Sequence, residues 1–214
     1  MQRLLRKMRR KPLGALGLLI VLALVVVAVF APWLAPYNPT RPDYMAMLAG
    51  PSDQYLLGTD ELGRDMLSRL IWGARASLQA GLIAVILAAG IGVPIGLVSG
   101  YFRGPLDEYV VMRLTDAMMA FPVIVLALAL TAILGPSLYT AMVAIGIVYA
   151  PIFIRLARAQ TLSIRETEYV EAARALGNRH FGIMVKHVLP NIASPLVIQM
   201  SVSMATAILV ESAL

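Results

Sequence analysis

The chain has 214 residues, of which 59% are hydrophobic and only 14% charged, a composition that excludes an ordinary soluble domain and specifies an integral membrane protein. It contains no cysteine, which removes a disulfide framework and any thiolate metal site. The net charge of +6 is not a nucleic-acid signature, because the basic residues sort by position along the chain and report membrane orientation.

In chain order, the segment 1–12 gathers Arg3, Arg6, Lys7, Arg9, Arg10 and Lys11 ahead of an apolar run at 13–31. A basic stretch before an apolar one also describes a signal peptide. This run, however, is long enough for a bilayer core of about 30 Å, and its end, AVFAPWLAP, lacks a small-x-small cleavage site, so it is read as an uncleaved first span. A loop at 32–77 follows. Apolar segments then recur at 78–101, 114–134, 138–154 and 192–214, giving five spans. They are expected to be helical, since lipid offers backbone groups no partner and no segment shows barrel-like alternation. The expected fold class is therefore all-α, a polytopic membrane bundle whose core is 78–214.

Threading the chain with its amino terminus in the cytoplasm places 32–77 and 135–137 outside, and 102–113 and 155–191 inside. Fourteen of the eighteen Lys and Arg then lie inside, and only Arg41, Arg64, Arg69 and Arg75 outside. The external loop carries the cluster Asp60, Glu61, Arg64 and Asp65, read either as a solvated loop or as a place for a cation, a substrate amine or a binding protein. Thr59 or Asp60 is expected to cap a short helix from Glu61 toward Trp72 that carries Leu62, Met66, Arg69 and Leu70 along the membrane surface. The second span holds Gly92, Gly96 and Gly100, two overlapping Gly-x-x-x-Gly units suited to close helix packing. Pro94 and Pro122 are expected to kink their helices. Within the spans, Asp116 is read as paired locally with Arg113 or as lining a path, and Glu211 as lining the path or pairing across a subunit interface.

The cytoplasmic loop 155–191 contains EYVEAARALGNRHFGIMVKHVLPN. Tyr169, Ala172, Ala173 and Leu176 recur as one apolar helical stripe, Gly177 reads as a C-terminal cap and Asn178 as the next N-cap. Phe181, Met184, Val185 and Val188 repeat the stripe until Pro190 marks the turn toward the last span. Glu171 and Arg174, one turn apart, suit a mutual pair or contacts with a partner. From pattern alone, the hairpin reads as an interfacial helix pair resting on lipid headgroups. His180 and His187 lie seven apart, but two ligands do not make a metal site. No nucleophile elbow, phosphate-binding loop or His-Glu-x-x-His motif occurs, so neither catalysis nor nucleotide binding is assigned to this chain.

The order Glu171-Ala172-Ala173, three residues, Gly177, nine residues, His187, one residue, Leu189-Pro190 resembles the EAA signature of ABC importer permeases, with His187 where isoleucine is general. The stretch LGTDELGRDMLSRLIWGARASL at 57–78, and the run 101–122 with Arg113, Asp116 and Pro122, resemble the dipeptide, oligopeptide and nickel branch. The resemblance implies a type I importer permease of the inner membrane with six spans, of which five are present, and hence a chain lacking its carboxyl-terminal end. It also implies that the hairpin is a coupling helix docked on an ATPase. The implied partners are a second permease in a heterodimer, two ATPase subunits that hold the ATP and Mg, an extracytoplasmic solute-binding protein and the lipid bilayer, with no nucleic acid and no cofactor on this chain. Dipeptides, oligopeptides, nickel chelates, glutathione and opines are not distinguished. The competing readings are a non-transporting scaffold or channel component, and a non-functional truncated permease.

Overall fold

The computed structural model describes residues 12–135 and 137–213. The basic segment that anchors the orientation argument thus lies, apart from Pro12, outside the described residues. The chain divides into two compact units, Met1–Gln79 and Ala80–Leu214. Among the described residues everything regular is helical, and the one β-type contact is an isolated bridge between Thr59 and Asp65.

In the first unit, α1 (Pro12–Val29) is 18 residues without a charge, begun by a proline whose missing N–H is no loss at a helix start. It is followed by α2 (Ala31–Leu34) and a 3₁₀ turn at Tyr44–Ala46, which Asp43 caps by accepting from the Met45 N–H at 3.1 Å. The loop after it folds back on itself through two glycines with positive φ. A Cβ on Gly63 would lie 1.7 Å from the Asp43 carbonyl oxygen, and one on Gly58 2.5 Å from that of Ala49, so no side chain fits at either place.

The expected surface helix at 61–72 and the span starting at 78 are one element. Residues 61–65 form a turn, and α3 (Met66–Phe102) runs for 37 residues through Pro94 without a break. Its cap is neither Thr59 nor Asp60. Asp65 accepts from the backbone N–H of Ser68 at 2.8 Å and from its hydroxyl at 2.6 Å, while Thr59 is occupied with Ala46 and Ala49. The loop's own hydrogen bonds claimed the earlier candidates, so the helix starts at the next free carboxylate.

The second unit contains the rest of α3, a π turn at Asp107–Val111, α4 (Met112–Met119), α5 (Val123–Leu134), α6 (Leu138–Ile164), α7 (Glu168–Ala175), α8 (His180–Ile183), a second π turn at Met184–Val188 and α9 (Leu189–Glu211). The third expected span, 114–134, is not a single rod: Asp107–Met119 and Val123–Leu134 meet at 100° across Phe121 and Pro122. Proline at 122 disfavours the helical region for Phe121 and removes a donor, and here the expected kink is a break. Four described helices are long and apolar enough to cross a membrane, and the bent pair makes a fifth if it counts as one span. α6 starts on a capping box, with Ser137 Oγ accepting from Thr140 N–H at 3.1 Å and Thr140 Oγ1 from Ser137 N–H at 3.0 Å. It continues ten residues past its expected end at 154.

The glycine motif sets the closest contact of this unit. A Cβ on Gly92, Gly96 or Gly100 would lie 2.6, 2.3 and 2.7 Å from the carbonyl oxygens of Ala150, Ile154 and Arg158, successive turns of α6. The two backbones therefore touch over two turns, as small residues at four-residue spacing allow. Gly90, on the same helix, has nothing within 4 Å of its Cβ position.

Gly96→Ala should therefore destabilise the protein by about 1–3 kcal/mol, the usual cost of overpacking, whereas Gly90→Ala should leave it unchanged or slightly more stable. Thermal unfolding in detergent checks this, and equal midpoints for the two variants would contradict the packing assigned to the motif.

Candidate functional site

The hairpin of residues 165–191 is an elbow between α6 and α9. α7 places Glu168 and Glu171 in its first turn and Arg174 in its last, the order that suits the helix dipole. It ends in a Schellman motif. Gly177, at φ +77°, donates its N–H to Arg174 O at 2.9 Å and Asn178 donates to Ala173 O at 3.2 Å. The expected cap at Gly177 is present, but Asn178 does not open the next helix. Its side chain also turns back to Ala173 O, at 3.0 Å, and Arg179 holds the N-cap position without a side-chain bond.

The buried face shares Ala173, Met184 and Val188 with the expected stripes but not their other members. Val170 and Ala173 are buried on α7, and Ile183, Met184 and Val188 on the following segment. Tyr169, Ala172, Leu176, Phe181 and Val185 are exposed, Leu176 and Phe181 to 83% and 73%. Two stripes of similar hydrophobicity overlap in this sequence, and the fold buries the one carrying branched Val170 and Ile183, whose side chains pack without a polar end. Glu171 and Arg174 do not pair. The Arg174 guanidinium lies over the Tyr101 ring, 5.2 Å from its centroid, and reaches Arg165 O at 3.4 Å, while Glu171 stays exposed.

Pro190 does not end the second helix. Helix continues from His180 to Glu211 because the π turn absorbs the proline: Leu189 N–H donates five residues back to Met184 O, and Asn191 Nδ2 donates to His187 O at 2.6 Å. Leu189 and His187 are half-buried and Pro190 is exposed at this entry to α9. His180 and His187 do not converge; His180 Nδ1 instead shares a hydrogen bond with the Tyr101 hydroxyl at 3.0 Å.

Asp116 pairs not with Arg113, three residues before it, but with Arg155 on α6, at 2.5 Å. Glu211 is the half-buried last residue of α9. Sequence reasoning missed the main buried polar group of this unit. Asp107, only 5% exposed, accepts from Arg158 Nε at 2.8 Å and Nη2 at 2.6 Å, and also from the Ser99 hydroxyl, tying the π turn to α6 and α3. Arg158 counts toward topology in the sequence, but its place four residues after Ile154, on the face that meets the glycines, is the signal of an inward role.

In the first unit, the acidic cluster is used internally. Asp60 accepts from the N–H groups of Leu62 and Arg64, both at 2.9 Å, and from the guanidinium groups of Arg64 and Arg69. Burial opposes ionisation of Asp60, but the Arg64 N–H, the Arg64 guanidinium and the Leu62 N–H outweigh it and hold the carboxyl at about 2. Asp65 is buried in its cap, so Glu61 and, in part, Arg64 are the members of the cluster that face outward. The hydrogen bond from the Tyr55 hydroxyl to Asp43, at 3.0 Å, raises the pKa of the phenol.

Comparison with known proteins was made on sequence and on fold. The family described as binding-protein-dependent transport system inner membrane component matches residues 92–214, and the N-terminal TM domain of oligopeptide transport permease C matches residues 1–51. The dipeptide transport system permease protein DppC of Alkalihalophilus pseudofirmus is 41% identical over 209 residues, covering 98% of this chain and 68% of that protein. The di/tripeptide transport system permease protein DppC of Pseudomonas aeruginosa is 44% identical over 211 residues, covering 94% and 68%. The glutathione transport system permease protein GsiD of Escherichia coli is 39% identical over 210 residues, covering 98% and 69%. Among solved structures, an inward-facing form of the MetNI methionine ABC transporter superposes with a TM-score of 0.60 at 24% identity, over 68% of this chain and 72% of that one, a likeness of fold.

The depressed pKa of Asp60 gives the first unit an acid limit. Its ionised carboxylate contributes stability that is fully present above the ordinary aspartate value of about 4 and is lost as pH falls through about 2. Both tryptophans, Trp33 and Trp72, lie in this unit, so their fluorescence should change between pH 4 and pH 2 in the native chain and stay flat there in Asp60→Asn. The same acid transition in both would remove Asp60 from this role.

Proposed function

The chain belongs to the binding-protein-dependent transport system inner membrane components, the permease subunits of ABC importers, and on that premise we propose that it carries di- or oligopeptides, or small solutes of that kind, across the inner membrane as one half of a permease pair. Relatives named for dipeptides, for di- and tripeptides and for glutathione support a peptide-like solute, since all three share an amide backbone and terminal charges.

In this reading the chain is a multi-pass membrane protein with its amino terminus and its elbow in the cytoplasm and the loop 32–77 outside, in line with the distribution of Lys and Arg. A second permease completes the path. Two ATPase subunits bind ATP and Mg, and an extracytoplasmic binding protein delivers the solute, with Glu61 and Arg64 facing it. Asp116, Pro122 and Glu211 belong to the path or to the interface with the second permease.

The observation that carries the coupling role is the two-faced elbow. Val170, Ala173 and Ile183 anchor it, while Tyr169, Leu176 and Phe181 stand exposed beside Glu171 and Ala172. An element held by one apolar face and offering another is built to be pushed, and the rigid cap at Gly177 keeps the two short helices from folding independently. Large apolar side chains beside a small one are what a partner pocket can grip.

The paired substitution Leu176→Asp and Phe181→Asp spares the buried face, so the protein should still fold. ATPase association should weaken by at least about thirtyfold, the loss typical of interface anchors, and ATP-driven peptide uptake into proteoliposomes should fall with it. Association and uptake at native levels would overturn the docking role. Solute flux without nucleotide would point to a channel instead.

A further inference from the structure

The importer reading gives the elbow a load to carry, and one buried residue of the bundle is in contact with the elbow on three sides. Tyr101, the penultimate residue of α3, is 4% exposed, and contacts from three segments meet on it. From the end of α6, Arg165 Nη1 donates to the Tyr101 carbonyl at 2.9 Å and to Gly100 O at 3.4 Å. From the end of α7, the Arg174 guanidinium stacks on the ring at 5.2 Å. From the start of α8, His180 bonds to the hydroxyl at 3.0 Å, with its ring edge-on to both Tyr101 and Phe102 at 5.7 Å.

Each of these contacts uses a different part of one residue: carbonyl, ring face and hydroxyl. Sequence places Tyr101 79 residues from His180, so the arrangement is not a by-product of local helix geometry. The elbow's exposed arginine and histidine are spent here rather than on solvent. An aliphatic side chain would fill the same space but would hold neither His180 nor the Arg174 guanidinium, while the Arg165 contact, made to the backbone, would remain.

We infer that Tyr101 is the positioning residue through which movement of the elbow is passed to α3, its hydroxyl gripping α8 and its ring gripping α7. This rests on the importer reading above. The gripped end of α3 lies next to Gly100, whose close contact with Arg158 on α6 leaves no slack, so a displacement of the elbow shifts α3 as a body. Without the joint the elbow still docks on its motor, but part of its movement is dissipated at the hinge.

The test uses the assembled importer in proteoliposomes with its native ATPase and binding protein, and Tyr101→Phe, Tyr101→Ala and His180→Ala variants. ATPase association should be unchanged in all three. Solute transported per ATP hydrolysed should fall by about fivefold in Tyr101→Phe, the effect of one ordinary hydrogen bond on an equilibrium, and further in Tyr101→Ala. His180→Ala should fall at least as far as Tyr101→Phe, since it removes the same bond and the ring contacts with Tyr101 and Phe102, and adding Tyr101→Phe to it should lower transport no further. Normal transport per ATP in Tyr101→Phe and His180→Ala, with the ATPase bound, would overturn the joint and leave the importer reading intact. Failure of the native chain to bind any ATPase would overturn the importer reading itself. If Tyr101→Ala lowers association or yield, the conservative Tyr101→Phe variant decides.

Discussion

The structure of the second unit depends on one contact, the approach of the α3 backbone to the α6 backbone over Gly92, Gly96 and Gly100. Between helices in a bilayer there is little hydrophobic gain, because lipid tails are as apolar as leucine, so association rests on dispersion contact and on polar groups that meet at close range. Three glycines one turn apart remove every Cβ that would hold the axes off, and the carbonyl oxygens of Ala150, Ile154 and Arg158 fill the space. That approach also fixes rotation about both axes. Once Gly96 faces Ile154 and Ala157, Ser99 and Tyr101 have only one place to go.

Polar residues then lock the register that the glycines permit. Arg158 follows Ile154 by one turn and holds both oxygens of Asp107 with one edge of its guanidinium, Nε and Nη2, while Ser99 adds a third donor to the same carboxylate. Removing one partner of such a buried pair leaves an uncompensated charge, which costs far more than the intact pair contributes. The arrangement thus acts more as a penalty against wrong registers than as a source of stability. The carboxylate so held is the first residue of the π turn at Asp107–Val111, so the same contacts fix that turn against α3 and α6.

How much of this was legible follows from what kind of signal each feature leaves. The helical character of the apolar segments, the glycine spacing and the cap at Gly177 are local patterns with a single physical meaning and are in place, whereas the segment bounds and the break at Pro122 are not local. Features decided by competition were not legible. Thr59, Asp60 and Asp65 are equally good caps on paper, and only the fold of the loop, through Gly58 and Gly63, determines which is free. Arg113 is nearer than Arg155 to Asp116 in sequence, yet the contact of α4 with α6 selects the distant partner. The elbow's apolar residues form two overlapping faces that share Ala173, and the choice between Tyr169 with Leu176 and Val170 is made by the core that receives it. The exposed stripe, although misplaced by the pattern, is the more informative for function because nothing within the chain requires it.

The two ends of the elbow are built differently, and the difference follows from their hydrogen bonds. At the α6 end, helix stops at Ile164, whose carbonyl is taken by the Thr167 hydroxyl at 2.6 Å and by the Thr167 N–H at 3.0 Å, so the chain must turn before α7 begins. At the α9 end, Pro190 lies in the first turn of α9, where its missing N–H costs least, and the π turn before it carries the helix through, with Leu189 N–H donating to Met184 O. One end is therefore a corner and the other a continuous rod. A proline that breaks the chain at 122 and is absorbed at 190 shows that the residue type does not decide the outcome. Proline also lies inside α3 at 94, inside α6 at 151 and inside α9 at 195, so a missing N–H does not by itself break a helix in this chain.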